Sequence, residues 1–367
     1  MSKLQVHLIA AARPNFMKIA PLYHALNARD WCDPVIVHTG QHYDANMSDA
    51  FFRDLRLPEP NFHLEVGSGS HAQQTGGVMI AYEKVCERNR PDWVVVVGDV
   101  NSTAACAMVA AKLWIPVIHL EAGLRSRDRR MPEEINRLVT DAISDVFWIP
   151  SADAGQNLRA EGVPEEKIDF VGNIMIDSLE MMRNQIEGDR TRQRMSLEPR
   201  SYAVVTLHRP SNVDSKETLA GLVEQLIEVS RELTLVFAVH PRTRRRLQEF
   251  SLLERLASAH NIRLSEPLGY IQFMNLVSGA LAAITDSGGI QEETSYLGIP
   301  CLTLRENTER PVTVTHGTNR LVKPEDLWAA MHAVIKGEWR RGSALERWDG
   351  RTAERCVQAL ARRSGRG

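Results

Sequence analysis

The chain has 367 residues, which exceeds what one hydrophobic core usually serves, so we expect two domains. Hydrophobic residues make up 43% and charged residues 25%, proportions that fit a globular protein and exclude a disordered or fibrous one. The formal net charge of -2 gives no overall preference for nucleic acid or an anionic membrane, so any anion binding must come from local groups.

The cysteines and the apolar stretches exclude two further classes. The five cysteines are scattered and contain no Cys-x-x-Cys pair, which excludes a disulfide framework and a zinc site and indicates the reducing cytoplasm. The longest apolar region, residues 104–118, is interrupted by Lys112 and Pro116, so we expect no membrane span. The apolar stretch at residues 4–12 predicts a first β-strand rather than a cleaved leader.

Short apolar runs alternate with helical patterns along the first half of the chain. The runs lie at residues 6–9, 35–37, 93–97, 116–118 and 146–149. Runs that are apolar on both faces and separated by helices predict a parallel sheet covered on both sides. The pattern restarts after about residue 175, with runs at residues 203–205, 235–239, 282–284 and 301–304. We therefore predict α/β domains at residues 1–172 and 173–351, with a last helix at about 352–367 packing back on the first domain.

Polar side chains follow the predicted strands of the first domain. They are Arg13 and Lys18 after the first strand, Gln41 and His42 after the second, Asp99 after the third and Glu121 after the fourth. Ligands of open parallel sheets bind beyond the carboxyl ends of the strands, so we expect these side chains to converge. One alone would most often cap a helix. Together they suit binding of an anionic ligand combined with proton transfer.

A further carboxylate pair opens the next predicted helix. Glu133, Glu134 and Arg137 follow Pro132, which suits the first position of a helix. Acidic residues in a first turn are commonly partners of the helix dipole. Glu133 and Arg137 are four residues apart and share a helix face, so they form either a site pair or a surface pair.

The second half contains a glycine turn between a buried strand and a helix. Ser287, Gly288 and Gly289 supply the turn, and Glu292 and Glu293 follow. Glycines let a phosphate approach free backbone N–H groups at a helix start, and a carboxylate just beyond could accept hydrogen bonds from ribose hydroxyls. A plain turn is the alternative. His208 and Arg209 follow the first strand of this half, either as site residues or as structural ones.

In this order, the motifs resemble the UDP-N-acetylglucosamine 2-epimerases over nearly the whole chain. The matching segments are residues 12–18, 39–42, 98–99, 121–125, 132–137, 208–209, 286–293 and 308–311. The resemblance implies an α/β fold of the glycosyltransferase-B type, with two Rossmann-like domains and an interdomain cleft. It also implies a homodimer.

The resemblance implies an isomerase that inverts C2 of a UDP-activated 2-acetamido sugar. The family eliminates UDP to give 2-acetamidoglucal and then adds UDP back, without a cofactor or a metal, and it supplies precursors of cell-surface polysaccharides. By position, Asp99, Glu121 and Glu133 match the essential carboxylates, and His208 matches the implicated histidine. The remaining matches concern the substrate and its UDP part, and they are Arg13, Lys18, Gln41, His42, Arg137, Arg209, Ser287, Gly288, Gly289, Glu293 and Arg310.

Some segments depart from the family pattern. Ser211 and Val312 stand where bacterial members activated by their own substrate often have Glu, so we expect no such activation. Arg127, Arg129 and Arg130 resemble a subgroup that includes epimerases of acetamido-uronic acid nucleotides, and one of them could pair with a C6 carboxylate.

Three other activities remain as alternatives to the non-hydrolysing epimerase. A hydrolysing epimerase would release N-acetylmannosamine and UDP. A glycosyltransferase of the same fold is disfavoured by the carboxylate-rich first half. A non-catalytic nucleotide-sugar sensor is disfavoured because all four catalytic-type positions are present.

Overall fold

The computed structural model describes residues 3–40 and 54–366, and Gln41 and His42 lie outside these ranges. The chain forms two compact units. The first unit comprises Met1–Met181 and Glu346–Gly367, and the second comprises Met182–Leu345. In the part of the chain that the structure describes, no helix has the length and hydropathy needed to cross a membrane.

Each unit contains one sheet in which every described strand pair is parallel. The described strands of the first unit are β1 (Leu4–Ala10), β2 (Cys32–Gly40), β3 (Phe62–Val66), β4 (Trp93–Val97), β5 (Val117–Leu120), β6 (Val146–Ile149) and β7 (Ile168–Phe170). Those of the second are β8 (Tyr202–Thr206), β9 (Thr234–Ala238), β10 (Ile262–Ser265), β11 (Ala282–Thr285), β12 (Cys301–Thr303) and β13 (Asn319–Leu321).

The helices lie between the strands in sequence. Those that the structure describes before β8 are α1 (Arg13–Asn27), α2 (His71–Arg88), α3 (Asn101–Lys112), α4 (Pro132–Ile143), α5 (Ala152–Ala160), α6 (Ile174–Met181), α7 (Arg183–Gly188) and α8 (Thr191–Arg194). Those after β8 are α9 (Pro210–Val213), α10 (Lys216–Ser230), α11 (Pro241–Glu249), α12 (Leu253–Ala257), α13 (Tyr270–Gly279), α14 (Gly288–Leu297), α15 (Pro311–Thr315), α16 (Leu327–Ile335) and α17 (Thr352–Arg363).

The two sheets share one strand topology. Among the described strands, the order is β3-β2-β1-β4-β5-β6-β7 in the first sheet and β10-β9-β8-β11-β12-β13 in the second. The order reverses beside β1 in one sheet and beside β8 in the other, as in Rossmann-like folds. The prediction of two Rossmann-like α/β domains is therefore confirmed, and the residues that follow β1, β4, β8 and β11 lie where such folds bind ligands.

The central strands are apolar because helices cover both of their faces. Four consecutive valines of β4, Val94 to Val97, are at most 1% exposed. In the second unit, Val205, Phe237, Ile284 and Leu302 come from neighbouring strands and belong to one buried cluster. Burial of such side chains contributes about 1.5–3 kcal/mol each and gives the rigid base on which the polar loops sit.

The last helix, α17, belongs to the first unit. The carboxylate of Asp177 accepts hydrogen bonds from the N–H groups of Thr352 (3.0 Å) and Ala353 (2.7 Å), and so caps the first turn of α17. Near the other end of α17, Arg363 pairs with Asp169 at 2.8 Å. The units end near, but not at, the boundaries of 172 and 351 that we expected, and the domain division itself stays a prediction.

Candidate active site

Lys18 and Glu121 form the first part of the candidate site. The Lys18 Nζ atom lies 2.5 Å from Glu121 Oε2, and the side chains are 12% and 3% exposed. Gly98 lies beside this pair, because a Cβ atom built on it would be 3.3 Å from Lys18 Nζ and 3.5 Å from Glu121 Oε2. The residues after β1, β4 and β5 therefore converge in the structure.

Asn15 ties the loop after β1 to the end of β4. Its side-chain oxygen accepts a hydrogen bond from Ala12 N–H (3.1 Å), and its Nδ2 donates to the Val97 carbonyl (3.2 Å). Asn15 is 4% exposed. This bond holds the start of α1, which carries Lys18, against the strand that leads into Asp99. The sequence analysis gave Asn15 no role of its own, and the structure gives it a positioning task.

Glu121 stands in a strained backbone conformation. Its φ of 71° lies in the left-handed region, where residues other than glycine are uncommon. The N–H groups of Glu121 and Ala122 both donate to the Trp148 carbonyl, at 3.1 and 3.2 Å, which holds the turn after β5. Strain of this kind persists only where surrounding contacts enforce it, and it is concentrated at functional sites.

Asp99 is held by Arg137 from α4. Arg137 Nη1 donates to Asp99 Oδ2, and the side chains are 2% and 30% exposed. The Asp99 carbonyl also accepts a hydrogen bond from Asn136 Nδ2 at 2.9 Å. The carboxylate therefore stays accessible while its backbone and one of its oxygens are fixed.

Glu134 fixes the other side of Arg137. Its Oε2 accepts hydrogen bonds from Arg137 Nη2 (2.6 Å) and Ser126 N–H (2.9 Å), and its Oε1 accepts one from Arg127 N–H (2.8 Å). Burial favours the neutral acid, but these donors hold the pKa of Glu134 below its ordinary value. Glu134 thus remains a buried carboxylate at 2% exposure.

The sequence had assigned importance to Glu133 rather than to Glu134. The structure pairs Arg137 with Glu134, three residues earlier, and leaves Glu133 half-buried at the start of α4. The catalytic role of Glu133 stays a prediction, whereas the positioning role of Glu134 emerges only from the structure.

In the second unit, His208 is held by a buried aspartate. His208 Nδ1 lies 2.8 Å from Asp286 Oδ1, and the side chains are 40% and 0% exposed. Asp286 Oδ2 also accepts hydrogen bonds from the Arg209 N–H (2.9 Å) and from Asn212 Nδ2 (3.0 Å). Burial alone would raise the pKa of Asp286, but the bond to His208 and the other donors hold that pKa below its ordinary value. His208 is therefore oriented through Nδ1, and part of its ring stays exposed.

The glycine turn opens α14. Ser287, after β11, is the cap residue, and its N–H donates to Thr285 Oγ1 at 3.0 Å. A Cβ atom on Gly288 would lie 2.8 Å from Glu309 Oε1, whereas one on Gly289 would meet nothing within 4 Å. Gly288 is thus required by packing inside the protein, and Gly289 presents open backbone at a helix start, as phosphate binding requires.

Carboxylates and arginines lie beneath this turn. Arg310 is 7% exposed and pairs with Glu292 (Nε to Oε1, 2.7 Å) and Glu309 (Nη1 to Oε1, 3.0 Å). Against the effect of burial, Arg310 and Arg305 hold the pKa of Glu309 well below its ordinary value. Burial raises the pKa of Glu293 to about 7, the hydrogen bond from the Tyr270 hydroxyl (2.7 Å) lowers it, and Glu292 raises it. A carboxyl group that carries its proton can donate as well as accept hydrogen bonds, which suits contact with a hydroxyl ligand.

Several predicted site residues are thus placed within their own units. In the first unit the structure brings together Lys18, Glu121, Asp99 and Arg137, while Arg13 is the first residue of α1. In the second, His208 and Arg209 contact the residue that precedes Ser287. Within residues 3–40 and 54–366, no group of three or more His, Cys, Asp or Glu side chains is arranged to hold a metal ion.

Comparisons with known proteins agree over nearly the full length of the chain. A family model described as UDP-N-acetylglucosamine 2-epimerase matches residues 24–361. The UDP-N-acetylglucosamine 2-epimerase of Methanocaldococcus jannaschii is 42% identical over 368 residues, which cover 97% of this chain and 99% of that protein. The UDP-2,3-diacetamido-2,3-dideoxy-D-glucuronate 2-epimerase of Pseudomonas aeruginosa is 38% identical over 323 residues, which cover 87% and 88%.

Solved structures give the same result. The crystal structure of the Methanocaldococcus jannaschii enzyme in complex with UDP-GlcNAc and UDP matches with a TM-score of 0.87 and covers 98% of this chain and 100% of that one. This match therefore spans both units of the chain. The chain therefore belongs to the UDP-N-acetylglucosamine 2-epimerase family of isomerases.

Proposed function

We propose that the protein interconverts UDP-N-acetylglucosamine and UDP-N-acetylmannosamine without net hydrolysis, as a step in supplying precursors of cell-surface polysaccharide. The observation that carries the proposal is the pair of fixed carboxylates in the first unit, Glu121 held by Lys18 and Asp99 held by Arg137. Two carboxylates on neighbouring strand ends suit a reaction that removes a proton and delivers one. Membership of the family and the UDP-GlcNAc bound to the Methanocaldococcus jannaschii relative support the substrate.

The chemistry explains why such a site is needed. The C2 proton of the sugar is weakly acidic, so inversion proceeds through elimination. A carboxylate removes the C2 proton, the C1–O bond breaks with its electron pair leaving on UDP, and a C1=C2 double bond forms. A UDP oxygen then bonds to C1 again while a proton is delivered to the opposite face of C2. We assign the proton transfers to Asp99, Glu121 and Glu133.

The second unit supplies groups for the departing nucleotide. In this proposal the open backbone at Gly289 binds the diphosphate, and Glu293 accepts hydrogen bonds from ribose hydroxyls. His208, oriented by Asp286, stabilises the charge that develops on the leaving oxygen. The assignments of Arg13, Gln41, His42, Arg209 and Arg310 to the UDP part follow the family resemblance and stay predictions.

Proton NMR in deuterated water tests the activity directly. Purified protein with UDP-N-acetylglucosamine, without metal or acceptor, is expected to incorporate deuterium at C2 and to form the UDP-manno epimer. Free N-acetylmannosamine with UDP would indicate a hydrolysing enzyme instead. Absence of C2 exchange with every candidate nucleotide sugar, together with sugar transfer to an added acceptor, would replace the proposal with a glycosyltransferase.

Matched variants connect the activity to the site. Asp99→Asn is expected to lower turnover by about 100- to 10,000-fold, the usual contribution of a proton-transferring side chain, while UDP still binds. Glu87→Gln removes an exposed carboxylate from α2 and serves as the control with unchanged turnover. Unchanged exchange in Asp99→Asn would contradict the assignment.

A related uronate nucleotide is the second candidate substrate. Of Arg127, Arg129 and Arg130, the first donates to Asn157 Oδ1 (2.8 Å) and the last pairs with Asp128 (2.9 Å). Arg129 is exposed between them, and no ion pair or hydrogen bond is described for its side chain. The 38% identity to the Pseudomonas aeruginosa uronate epimerase gives this candidate its support.

The substrates can be separated at Arg129. If it binds a C6 carboxylate, Arg129→Gln should raise KM for UDP-2,3-diacetamido-glucuronate by about tenfold or more, since hydrogen bonds to charged groups contribute about 1.5–3 kcal/mol, and should spare UDP-N-acetylglucosamine. Arg130→Gln is the control, because Arg130 already pairs with Asp128. Equal losses on both substrates would count against a uronate site.

We also infer a homodimer in a reducing cytoplasm. The five cysteines are free and buried, which supports a reducing compartment, and the family resemblance supports the dimer. Sedimentation velocity at micromolar concentration gives the assembly state, and a monomer would contradict the inferred homodimer.

A further inference from the structure

A buried histidine–aspartate pair lies behind the carboxylates of the first unit. His119, in β5, and Asp141, in α4, are 0% and 3% exposed. His119 Nδ1 lies 2.6 Å from Asp141 Oδ1, and His119 Nε2 lies 2.8 Å from the Gly98 carbonyl oxygen. Neither residue belongs to the set that carries the proposed chemistry.

The partners of His119 determine which of its nitrogens are protonated. A carbonyl oxygen only accepts hydrogen bonds, so Nε2 must donate to Gly98. Asp141 is already a double acceptor on its other oxygen, which receives the Gly123 N–H (3.0 Å) and a guanidinium nitrogen of Arg125 (2.7 Å). Burial would raise the pKa of Asp141, but His119 and Arg125 hold it below its ordinary value. Asp141 is therefore a carboxylate, and Nδ1 of His119 must donate as well.

The charges around this pair are balanced. Asp141 faces His119 from β5 and Arg125 from the loop after β5, and Arg125 is also bound by Glu161, with Nε to Oε1 at 2.8 Å and Nη2 to Oε2 at 2.6 Å. Two cations thus meet two carboxylates. A buried ion network with every member hydrogen-bonded rigidifies its surroundings, whereas removal of one member leaves an uncompensated charge.

The pair connects the two loops that carry catalytic carboxylates. Gly98 immediately precedes Asp99, and Gly123 follows Glu121 by two residues. Gly98, Glu121 and Gly123 have φ angles of 68°, 71° and 79°, so both loops depend on surrounding contacts to keep their shape. Through His119, the Gly98 carbonyl is bonded to the same carboxylate that binds the Gly123 N–H.

We propose that His119 and Asp141 are positioning residues of this enzyme: a doubly protonated His119, held by Asp141, fixes the Asp99 loop against the Glu121 loop without touching the substrate. The inference rests on the proposed function for its kinetic consequence. The protonation of His119 and its bonds are properties of the free protein and stand independently of the substrate.

Two substitutions of His119 separate positioning from general stability. His119→Gln is long enough to keep an N–H donor toward the Gly98 carbonyl, and His119→Asn is shorter and keeps a donor only toward Asp141. Both leave a buried charge less well compensated, so both should destabilise the protein. If the Gly98 bond positions Asp99, kcat should fall by about 10- to 100-fold in His119→Asn, because a small misplacement of a reacting group costs this much in rate. The kcat of His119→Gln should fall clearly less, because the bond to Gly98 is kept. KM and UDP affinity should change little.

The full-length protein with ¹⁵N-labelled histidine provides the second measurement. His119, one of 12 histidines, is assigned by its absence from the His119→Gln spectrum. We expect protons on both of its ring nitrogens, because each nitrogen faces an oxygen that accepts a hydrogen bond. In Asp141→Asn the new amide can donate to Nδ1, so His119 should become neutral with its proton on Nε2.

Each outcome decides the question. A wild-type His119 with only one protonated nitrogen would overturn the proposal, even if neither His119 variant folds. If kcat falls equally in His119→Gln and His119→Asn, and this loss is explained by their lower stability, the pair has only a structural role. If wild-type protein shows no C2 exchange with any UDP-sugar, the proposed function fails, while the ¹⁵N spectrum still reports the state of His119.

Discussion

Replacement of Glu134 by glutamine should release the segment before α4 while leaving the shape of the side chain unchanged. In the wild type, Glu134 accepts hydrogen bonds from the N–H groups of Ser126 (2.9 Å) and Arg127 (2.8 Å) and pairs with Arg137 (2.6 Å). A glutamine keeps one oxygen. Its NH₂ group faces at least one of these donors, and Arg137 retains only Asp99 as a charged partner.

The size of the effect follows from these contacts. A hydrogen bond to a charged group contributes about 1.5–3 kcal/mol, and Glu134→Gln loses one such bond and weakens the others. We therefore expect local protection to fall by about 2 kcal/mol or more, which corresponds to roughly 30-fold faster exchange of the protected amides. Turnover should also fall, because Arg137 loses its bond to the Glu134 carboxylate and then holds Asp99 less firmly.

Native-state hydrogen exchange measures this change where it occurs. The amides of Ser126 and Arg127 should exchange faster in Glu134→Gln, and amides of the second unit should be unchanged. Glu133→Gln is the matched control: it removes the adjacent, half-buried carboxylate, should lower turnover, and should leave the exchange of these two amides as in the wild type. Equal exchange rates in both variants would refute the reasoning.

Three further predictions concern stability. The Glu293 pKa of about 7 lies above the ordinary value of 4.5, so its contribution to stability is complete below pH 4.5 and is lost as the pH rises through 7. In urea titrations, the free energy of unfolding of Glu293→Gln should therefore lack this decrease with pH and should be larger than that of the wild type at pH 8. Gly123→Ala would place Cβ against the Ala154 carbonyl, so it should lower the free energy of unfolding by about 1–3 kcal/mol more than Gly162→Ala does. Gly162 is the control because its φ is also positive but a Cβ atom there would face open space. Similar losses in the two variants would contradict the packing argument. Asp177→Ala removes the cap of α17, so it should lower the free energy of unfolding by about 1 kcal/mol and speed limited proteolysis near the start of α17. An unchanged cleavage rate would show that the cap contributes little.

The sequence predicted the centre of each sheet and missed its edges. The predicted runs correspond to β1, β2, β4, β5 and β6 in the first unit and to β8, β9, β11 and β12 in the second. The four strands without a predicted run, β3, β7, β10 and β13, are the outermost described strands of the two sheets. They are short and partly exposed, as in Ile168–Phe170, so no long apolar run identifies them.

The candidate site was predictable where residues follow central strands, and on α4 the sequence singled out only part of the charged face, Glu133 and Arg137. Lys18, Asp99 and Glu121 were found by position relative to strands. On α4, however, the buried face carries Glu134, Arg137 and Asp141, and Ile135 is 37% exposed. This reverses the usual pattern of an amphipathic helix, because the face that packs inward meets charged loop ends rather than apolar side chains. In the sequence, only the spacing of three and seven residues from Glu134 to Arg137 and Asp141 indicates that these charges share one face of α4.

The two crossings of the chain between the units have a consequence for synthesis on the ribosome. The first unit begins with β1 and is completed only by α17, after the whole of Met182–Leu345 has been made. Domains generally fold as units during synthesis, starting from the N-terminus. Here the second unit can fold as one uninterrupted stretch, while α1 and the edge strand β7 wait for the final residues of the chain. A stalled or truncated product would therefore carry a finished second unit and an incomplete first unit, to which Asp99 and Glu121 belong.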